Sequence, residues 1–270
     1  MRSIGLIKIY MSIKLIKILK KLKKLGAVGV KQSLEDEGAS FNDIRTMRDI
    51  TKKLKLKLNV KIGGCEAKND IFFCKQIKTD SIVAPMVESE YALKKFIQCA
   101  GQNKKNLHLI NLETVQSIKN LKSITSSKFF KSIDGVVIGR SDLAGSMGYS
   151  KSFVNSKKIY NIVNKTFNSI KKLKTNKKIL KMGGSITQNS KKFIKLLFSN
   201  KNLDYVETRN IEIKLSKKSL KNFEKLIAES FKFEVEWLKF RIKNNKNLHN
   251  NLAFDYRKRI KEIELRIKKL

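Results

Sequence analysis

Two carboxylates that each follow a buried strand are the residues of this sequence best placed to do chemistry. Glu113 ends the run Leu-His-Leu-Ile-Asn-Leu-Glu, and Asp142 follows the apolar run Gly-Val-Val-Ile-Gly. Because side chains alternate along a strand, Glu113 shares a face with Asn111 and not with His108. The second run is too apolar to be half exposed, which favours a parallel sheet covered on both faces. Both carboxylates should therefore meet at the carboxyl-end rim of one sheet, where α/β folds carry their active sites.

Further acidic residues follow other predicted strands, although the chain has only 23 Asp and Glu against 60 Lys and Arg. Residues 35–37 are all acidic, and Glu207 ends a later strand. Carboxylates collected on one rim repel one another, so a divalent cation bound by Glu113 and Asp142 is the economical answer. With oxygen ligands and no Cys or His aimed at the site, we expect Mg²⁺ or Mn²⁺. Capping of helix N-termini is the alternative, and it explains this pair less well than the other acids.

The formal net charge of +37 would ordinarily suggest a nucleic-acid or anionic-membrane partner. Lysine is instead spread over every predicted helix face, and few aromatic residues accompany it, so we expect no specific nucleic-acid partner. The three cysteines form no C-x-x-C pair, which predicts neither disulfides nor a zinc site and fits a reducing cytoplasm. The sequence shows no secretory signal and no apolar run of membrane-spanning length, so no integral membrane segment is expected.

Strand-like runs alternate with helical segments from Ala27 onward. We predict strands at 28–33, 56–62, 82–84, 107–112, 135–138, 179–182 and 205–207, with helices at 43–54, 67–76, 90–99, 114–121, 157–172 and 190–197. Seven strands in series with helices between them predict an α/β fold, a TIM (β/α)8-type barrel. The apolar residues 4–9 are the candidate eighth strand. Met11 is an alternative start, and from there the barrel would have to close in another way.

We expect three parts along the chain. Residues 1–25 would be a strand and a basic amphipathic helix packed on the barrel, although such a helix could also lie on a membrane surface. Residues 26–212 would be the catalytic barrel. Residues 213–270 would form an appended C-terminal helical hairpin, because apolar residues recur at helical spacing over 223–242 and over 256–270.

Two glycine pairs echo each other, in Lys61-Ile-Gly-Gly64 and in Lys181-Met-Gly-Gly184. Each precedes a helix whose free amides could take a phosphate or carboxylate, so Gly63 and Gly64 are candidate substrate-binding residues. Plain tight turns explain the glycines equally well. Strand parity places Lys61 opposite an apolar row that should pack on helices, so the Lys61 side chain should face the barrel interior.

At these residues the chain resembles the HpcH/HpaI aldolase/citrate lyase family, metal-dependent TIM-barrel enzymes acting on pyruvate-type enolates or acyl-CoA thioesters. The resemblance covers most of residues 26–209 and is carried by the segments 34–39, 61–67, 83–89, 111–114 and 138–146. It implies that Glu113 and Asp142 are the metal ligands and that Asn111, which stands where related enzymes carry a polar residue, binds the substrate. It also implies C-terminal helices that reach a neighbouring subunit, hence a homo-oligomer.

The chain departs from the resembled family at two positions. Lys61 stands where the aldolases carry an Arg, which keeps the charge but loses the bidentate fork. Gly38 stands where they carry an acid/base His. Proton transfer would then fall to Glu35, Asp36, Glu37 or a metal-bound water.

The expected function is a divalent-metal-dependent carbon–carbon lyase acting through the enolate of a 2-oxo acid or an acyl-CoA substrate. Backbone amides near Ser141 and Asp142 would hold the substrate carboxylate, and Lys61 would neutralise the developing oxyanion. The alternative is an accessory protein that keeps the fold and the metal but has lost catalysis. The segments 35–38 and 207–209 resemble a subgroup associated with surface-carbohydrate biosynthesis.

Overall fold

The computed structural model describes the backbone of residues 2–101, 105–245 and 248–268, and the side chains of those ranges from residue 12 onward. Within these residues, eight strands form a closed barrel in chain order. The strands are β1 (Ala27–Ser33), β2 (Lys57–Lys61), β3 (Ser81–Ala84), β4 (Leu107–Asn111), β5 (Gly135–Gly139), β6 (Ile179–Gly183), β7 (Tyr205–Glu207) and β8 (Ile211–Lys214). The predicted barrel is therefore confirmed, together with all seven strands placed from residue 28 onward.

Helices surround the barrel and extend it at both ends of the chain. They are α1 (Arg2–Leu25), α2 (Phe41–Leu54), α3 (Lys68–Gln76), α4 (Glu90–Ala100), α5 (Val115–Lys119), α6 (Leu121–Ser126), α7 (Arg140–Ser146), α8 (Lys157–Lys171), α9 (Lys191–Ser199), α10 (Lys217–Lys221), α11 (Phe223–Asn244) and α12 (Asn250–Lys268). None of the described helices is long and apolar enough to cross a membrane. Residues 269 and 270 of the predicted last apolar stripe lie outside the described residues.

The eighth strand is the point at which the sequence-based prediction is wrong. Residues 4–9 belong to α1, and β8 closes the barrel by pairing antiparallel with both β7 and β1. No proline or glycine lies between Leu6 and Leu25, so this stretch contains no residue that would break a helix. The three residues between β7 and β8 are too few for a crossover, so those two strands can only form an antiparallel hairpin.

Strand alternation divides the buried side chains into an outer core and a barrel interior. Ile211 and Ile213 of β8 belong to the large outer core between the strands and the helices, whereas the side chain of Glu212 points inward. Inside the barrel, Val83, Leu109 and Val137 form a separate small apolar cluster. Many other interior positions carry polar or charged side chains, among them Lys61, Lys181 and Glu212, so the interior is the part of the molecule that needs a chemical explanation.

The C-terminal hairpin packs on the barrel of its own chain. Trp237 of α11 is fully buried, and its indole N–H donates to the side-chain oxygen of Gln32 on the outer face of β1 (2.9 Å). Leu15, Leu19 and Leu22 of α1 share one helical face and are buried in the same core. The helices α1 and α11 therefore cover β1 together, at the seam where the barrel closes.

Candidate active site

Lys61 ends β2 with its side chain inside the barrel mouth, as strand parity predicted. The residue is only 4% exposed, and its Nζ lies 2.7 Å from Glu35 Oε2 and 3.6 Å from Glu113 Oε1. Burial alone would lower the pKa of Lys61, but the negative charges of Glu113, Asp36 and Glu35 outweigh it and raise the pKa. The ammonium is therefore a fixed positive charge held between carboxylates from two loops.

Glu113 follows β4 and is almost completely buried at 1% exposure. Its Oε1 accepts the backbone N–H of Met86 (3.1 Å), and its Oε2 accepts the side-chain amide of Asn111 (2.8 Å). A Cβ at residue 139 would lie 2.4 Å from Glu113 Oε2, so Gly139 makes room for this carboxylate. Burial first, and then the charge of Asp142, raise the pKa of Glu113, although Lys61 acts in the opposite direction.

Asp142 and Ser141 lie in the first turn of α7, beside the end of β6. Asp142 is exposed, while the Ser141 hydroxyl lies 2.9 Å from that of Ser185. A Cβ at Gly184, whose φ is +80°, would lie 2.4 Å from the backbone nitrogen of Ser141. Only glycine therefore permits this close approach of the two backbones, which brings the turn after β6 against the turn after β5.

Arg140 joins these two turns, and the sequence reasoning missed it. All five of its N–H groups are used, on the carbonyls of Gly183, Gly184 and Val154, on Asn155 and on the Ser190 hydroxyl. Burial lowers its pKa to about 9, so the guanidinium remains charged at neutral pH. No carboxylate in the described part of the chain pairs with it, and the carbonyl dipoles replace one. The local sequence Arg-Ser-Asp does not indicate that this Arg is buried or that it joins two turns.

The glycine pair after β2 behaves differently from the pair after β6. The N–H of Gly63 donates to the carboxylate of Asp70 (2.8 Å), so an internal anion already occupies that donor. A Cβ on Gly64 would meet no atom within 4 Å, which leaves open space at this position. Of the two predicted anion-binding glycines, only Gly64 has its surroundings free.

The acidic loop, residues 34–40 between β1 and α2, brings Glu35 to Lys61 but turns Glu37 elsewhere. Both carboxylate oxygens of Glu37 accept from the side-chain amide of Asn210 (3.2 and 2.9 Å), and Arg209 Nε lies 3.6 Å away. Burial raises the pKa of Glu37 to about 7 despite the charge of Arg209. Asp36 is exposed, and its pKa is lowered: partial desolvation opposes this, but the charges of Lys31, Lys61 and Arg209 prevail.

A second charged cluster lies on the opposite wall of the barrel, where β6, β7, β8 and β1 meet. Lys181 pairs with Glu212, and its Nζ also lies 3.8 Å from Glu207. Glu207 is in turn 3.8 Å from Lys31 Nζ. The two glutamates and Lys181 are at most 3% exposed. Sequence reasoning assigned Glu207 to the acidic rim, and it did not anticipate that Lys181 would neutralise it.

Comparison with known proteins identifies the barrel. Residues 42–192, more than half of the chain, match the HpcH/HpaI aldolase/citrate lyase family. The chain belongs to this family. No curated protein matches its sequence.

Several solved structures have the same fold. The HpcH/HpaI aldolase from Desulfitobacterium hafniense DCB-2 matches with a TM-score of 0.54 at 12% identity, over 66% of this chain and 75% of that one. Citrate synthase SbnG matches with a TM-score of 0.54 at 11% identity, over 70% and 78%. RipC from Yersinia pestis matches with a TM-score of 0.50 at 15% identity, over 73% and 87%. At these identities the structural likeness establishes the fold.

The side chains around Glu113 are the candidates to hold the divalent cation that the family implies. The described residues contain no group of three or more His, Cys, Asp or Glu side chains arranged to hold a metal. Glu113 and Asp142 nevertheless supply two carboxylates, and Asn111 Oδ1 is buried without a hydrogen-bond partner beside them. Two carboxylates and one amide oxygen suit a hard cation that completes its coordination with water or substrate, as Mg²⁺ does. Glu113, Asp142 and Asn111 are therefore suitable ligands for the divalent cation.

Proposed function

We propose that this protein is a divalent-metal-dependent carbon–carbon lyase acting through the enolate of a small 2-oxo acid or an acyl-CoA thioester. Membership of an aldolase/citrate lyase family supports a lyase activity. The observation that carries the proposal is the buried Lys61 ammonium, held between Glu35 and Glu113 at the mouth of the barrel. A fixed cation beside a candidate metal site is suited to stabilising an enolate oxygen.

We assign the metal to Glu113 and Asp142, with Asn111 Oδ1 beside them. A bound Mg²⁺ or Mn²⁺ would polarise the carbonyl of the substrate and so favour enolate formation. Lys61 neutralises the developing oxyanion, since its raised pKa keeps it charged throughout the neutral range. The backbone N–H groups at Ser141 and at Gly64, which has open space around it, would bind the substrate carboxylate or an acyl-carrier phosphate.

Proton transfer is assigned to the acidic loop. Glu35 is the candidate acid/base, because its carboxylate contacts Lys61 and its side chain is 27% exposed, which leaves it open to a ligand at the mouth. Glu37 is proposed as a supporting group that exchanges a proton near neutral pH, in line with its pKa of about 7. Its contacts with Asn210 and Arg209 hold it away from Lys61.

The proposal is tested by retro-aldol assays on hydroxy-oxo acids and acyl-CoA thioesters with Mg²⁺ or Mn²⁺. Glu113→Ala should lower turnover by more than the roughly 10- to 100-fold that losing an outer-shell partner costs, because it removes a ligand itself. Glu90→Ala, at an exposed position of α4, is the matched control. Turnover that survives Glu113→Ala would exclude this assignment.

A second candidate function is an accessory protein that binds metal and ligand without turnover. Gly38, which stands at the family's His position, favours it, because a Cβ there would lie only 3.2 Å from Leu252 and the backbone φ is +54°. An acid/base side chain at this residue would require Leu252 to shift and would have to adopt a left-handed backbone conformation. Binding of Mn²⁺ and oxalate without turnover of any substrate in the panel would favour this candidate over the lyase.

The proposed setting is the cytoplasm, with a small-molecule substrate and no specific nucleic-acid partner. We also propose a homo-oligomer formed through the C-terminal helices. Phe254 and Leu265 of α12 support it, because they are 65% and 59% exposed although α12 packs on its own barrel.

A further inference from the structure

The acidic loop is fixed at its two ends. The N–H of Leu34 donates to the carbonyl of Lys61 (2.9 Å), and Ser40 forms the capping box that begins α2. The N–H of Gly38 donates to the carbonyl of Glu35 (3.1 Å), and the N–H of Ala39 donates to the carbonyl of Ser33 (3.1 Å). These bonds form a tight turn that carries Glu35 at its start. The Leu34 bond fixes only the start of this turn beside Lys61, so the orientation of the rest of the turn depends on what holds its outward-facing carbonyls.

Side chains from the last third of the chain hold those carbonyls. The Glu37 carbonyl accepts Arg241 Nη1 (3.0 Å) and the Tyr256 hydroxyl (2.7 Å), while the Gly38 carbonyl accepts Arg241 Nη2 (2.6 Å). The Asp36 carbonyl accepts Arg209 Nη2 (3.3 Å). Two of these three donor residues belong to the C-terminal hairpin, which contains no candidate catalytic side chain.

The donors are themselves rigidly held. Arg241 is 1% exposed, and its Nε pairs with Asp43 at 3.1 Å. Asp43 also accepts the N–H of Ser40 in the capping box that begins α2. The guanidinium lies 4.5 Å from the centre of the Tyr256 ring, so each side chain restricts the other. Arg241 therefore joins the end of the turn, at Glu37 and Gly38, to the start of α2 at Asp43.

We infer that the C-terminal hairpin, α11 with α12, positions Glu35 against Lys61 by holding the Glu37 and Gly38 carbonyls through Arg241 and Tyr256. Leu252 completes the contact by filling the space over Gly38. The hairpin thus arranges the mouth of the barrel in addition to packing on its outer face. Arg241 and Tyr256 are positioning residues, and their role in catalysis rests on the proposed function of this site.

The first test measures the loop without reference to activity. In full-length protein, Tyr256→Phe removes one donor to the Glu37 carbonyl and keeps the ring against Arg241. Hydrogen–deuterium exchange at the Gly38 and Ala39 amides should rise roughly fivefold or more, as expected for loss of one buried hydrogen bond. Arg241→Lys, which loses the fork, should raise it further. Trp237→Phe is the matched control, because it removes one bond between the same hairpin and β1 without touching the loop.

The second test separates positioning from stability. On any substrate that the wild type turns over, Tyr256→Phe should lower kcat about tenfold or more with KM nearly unchanged, since misplacement of Glu35 affects the chemical step. Trp237→Phe should leave kcat unchanged. Unaltered exchange at Gly38 and Ala39 in Tyr256→Phe would overturn the inference, as would faster exchange with an unchanged kcat. If the wild type turns over no substrate, the proposed function fails, and the exchange result alone decides whether the hairpin holds the loop.

Discussion

Lys61 and Lys181 stand in the same local sequence, on strands that lie opposite each other in the barrel, and both face its interior. Each is followed by an apolar residue and two glycines. Lys61 pairs with carboxylates from the loops after β1 and β4, at the mouth. Lys181 pairs with carboxylates on the neighbouring strands β7 and β8. The comparison teaches that the shared motif places both lysines inside the barrel. Whether the ammonium can contact a ligand depends on its partners: carboxylates from loops hold Lys61 at the mouth, whereas carboxylates on strands enclose Lys181.

The largest expected effect concerns Lys181. Lys181→Met should lower the free energy of unfolding by roughly 3–5 kcal/mol, because it leaves Glu212 buried without its cation and Glu207 with Lys31 alone. Urea unfolding measures the loss, and Lys177→Met, at an exposed position nearby, is the control. The activity per folded molecule should be unchanged. A stable but inactive Lys181→Met variant would show that this cluster belongs to the active site.

The reverse pattern is expected for Lys61. Lys61→Ala should lower kcat/KM by at least about two orders of magnitude, on the scale of one lost oxyanion donor, with metal affinity retained. Its effect on stability should be smaller than that of Lys181→Met, since Glu35 reaches solvent and Glu113 keeps its two N–H donors. Lys61→Arg preserves the charge and is the matched variant. Normal turnover by Lys61→Ala would remove the distinction between the two lysines.

The smallest effect is the pH dependence that Glu37 contributes. Its folded-state pKa of about 7 is above the ordinary value of 4.5, so the folded state binds more protons between these two values. This contribution to stability is complete below about pH 4.5 and is lost as the pH rises through 7. Between pH 5 and pH 8, wild type should lose about 2 kcal/mol relative to Glu37→Gln. Glu90→Gln, at an exposed position of α4, should behave as wild type. Parallel titration curves for wild type and Glu37→Gln would contradict the assignment.

The parts of the fold and site that depend on local patterns could be predicted from the sequence. Strand alternation was sufficient to place Lys61 inside the mouth and Glu113 beside Asn111. Alternation also marks β8, in the run Ile-Glu-Ile-Lys, but four residues are a weak signal, and the apolar residues 4–9 give a stronger one. The contact of Arg241 with the Glu37 carbonyl joins residues 204 positions apart. No periodicity links such positions, because tertiary packing alone creates the contact.

The antiparallel closure at β8 has a consequence for the order in which the chain folds. On one side, β1 pairs with β2, which follows soon after it in sequence. On the other side, it pairs with β8, which lies about 180 positions later. Closing so long a loop is costly in chain entropy and slow. Arg209 and Asn210, which hold the acidic loop, lie in the turn that makes this closure. During synthesis or refolding, we therefore expect the acidic loop to reach its final arrangement only after β8 has paired with β1, and Glu35 to remain unorganised until then.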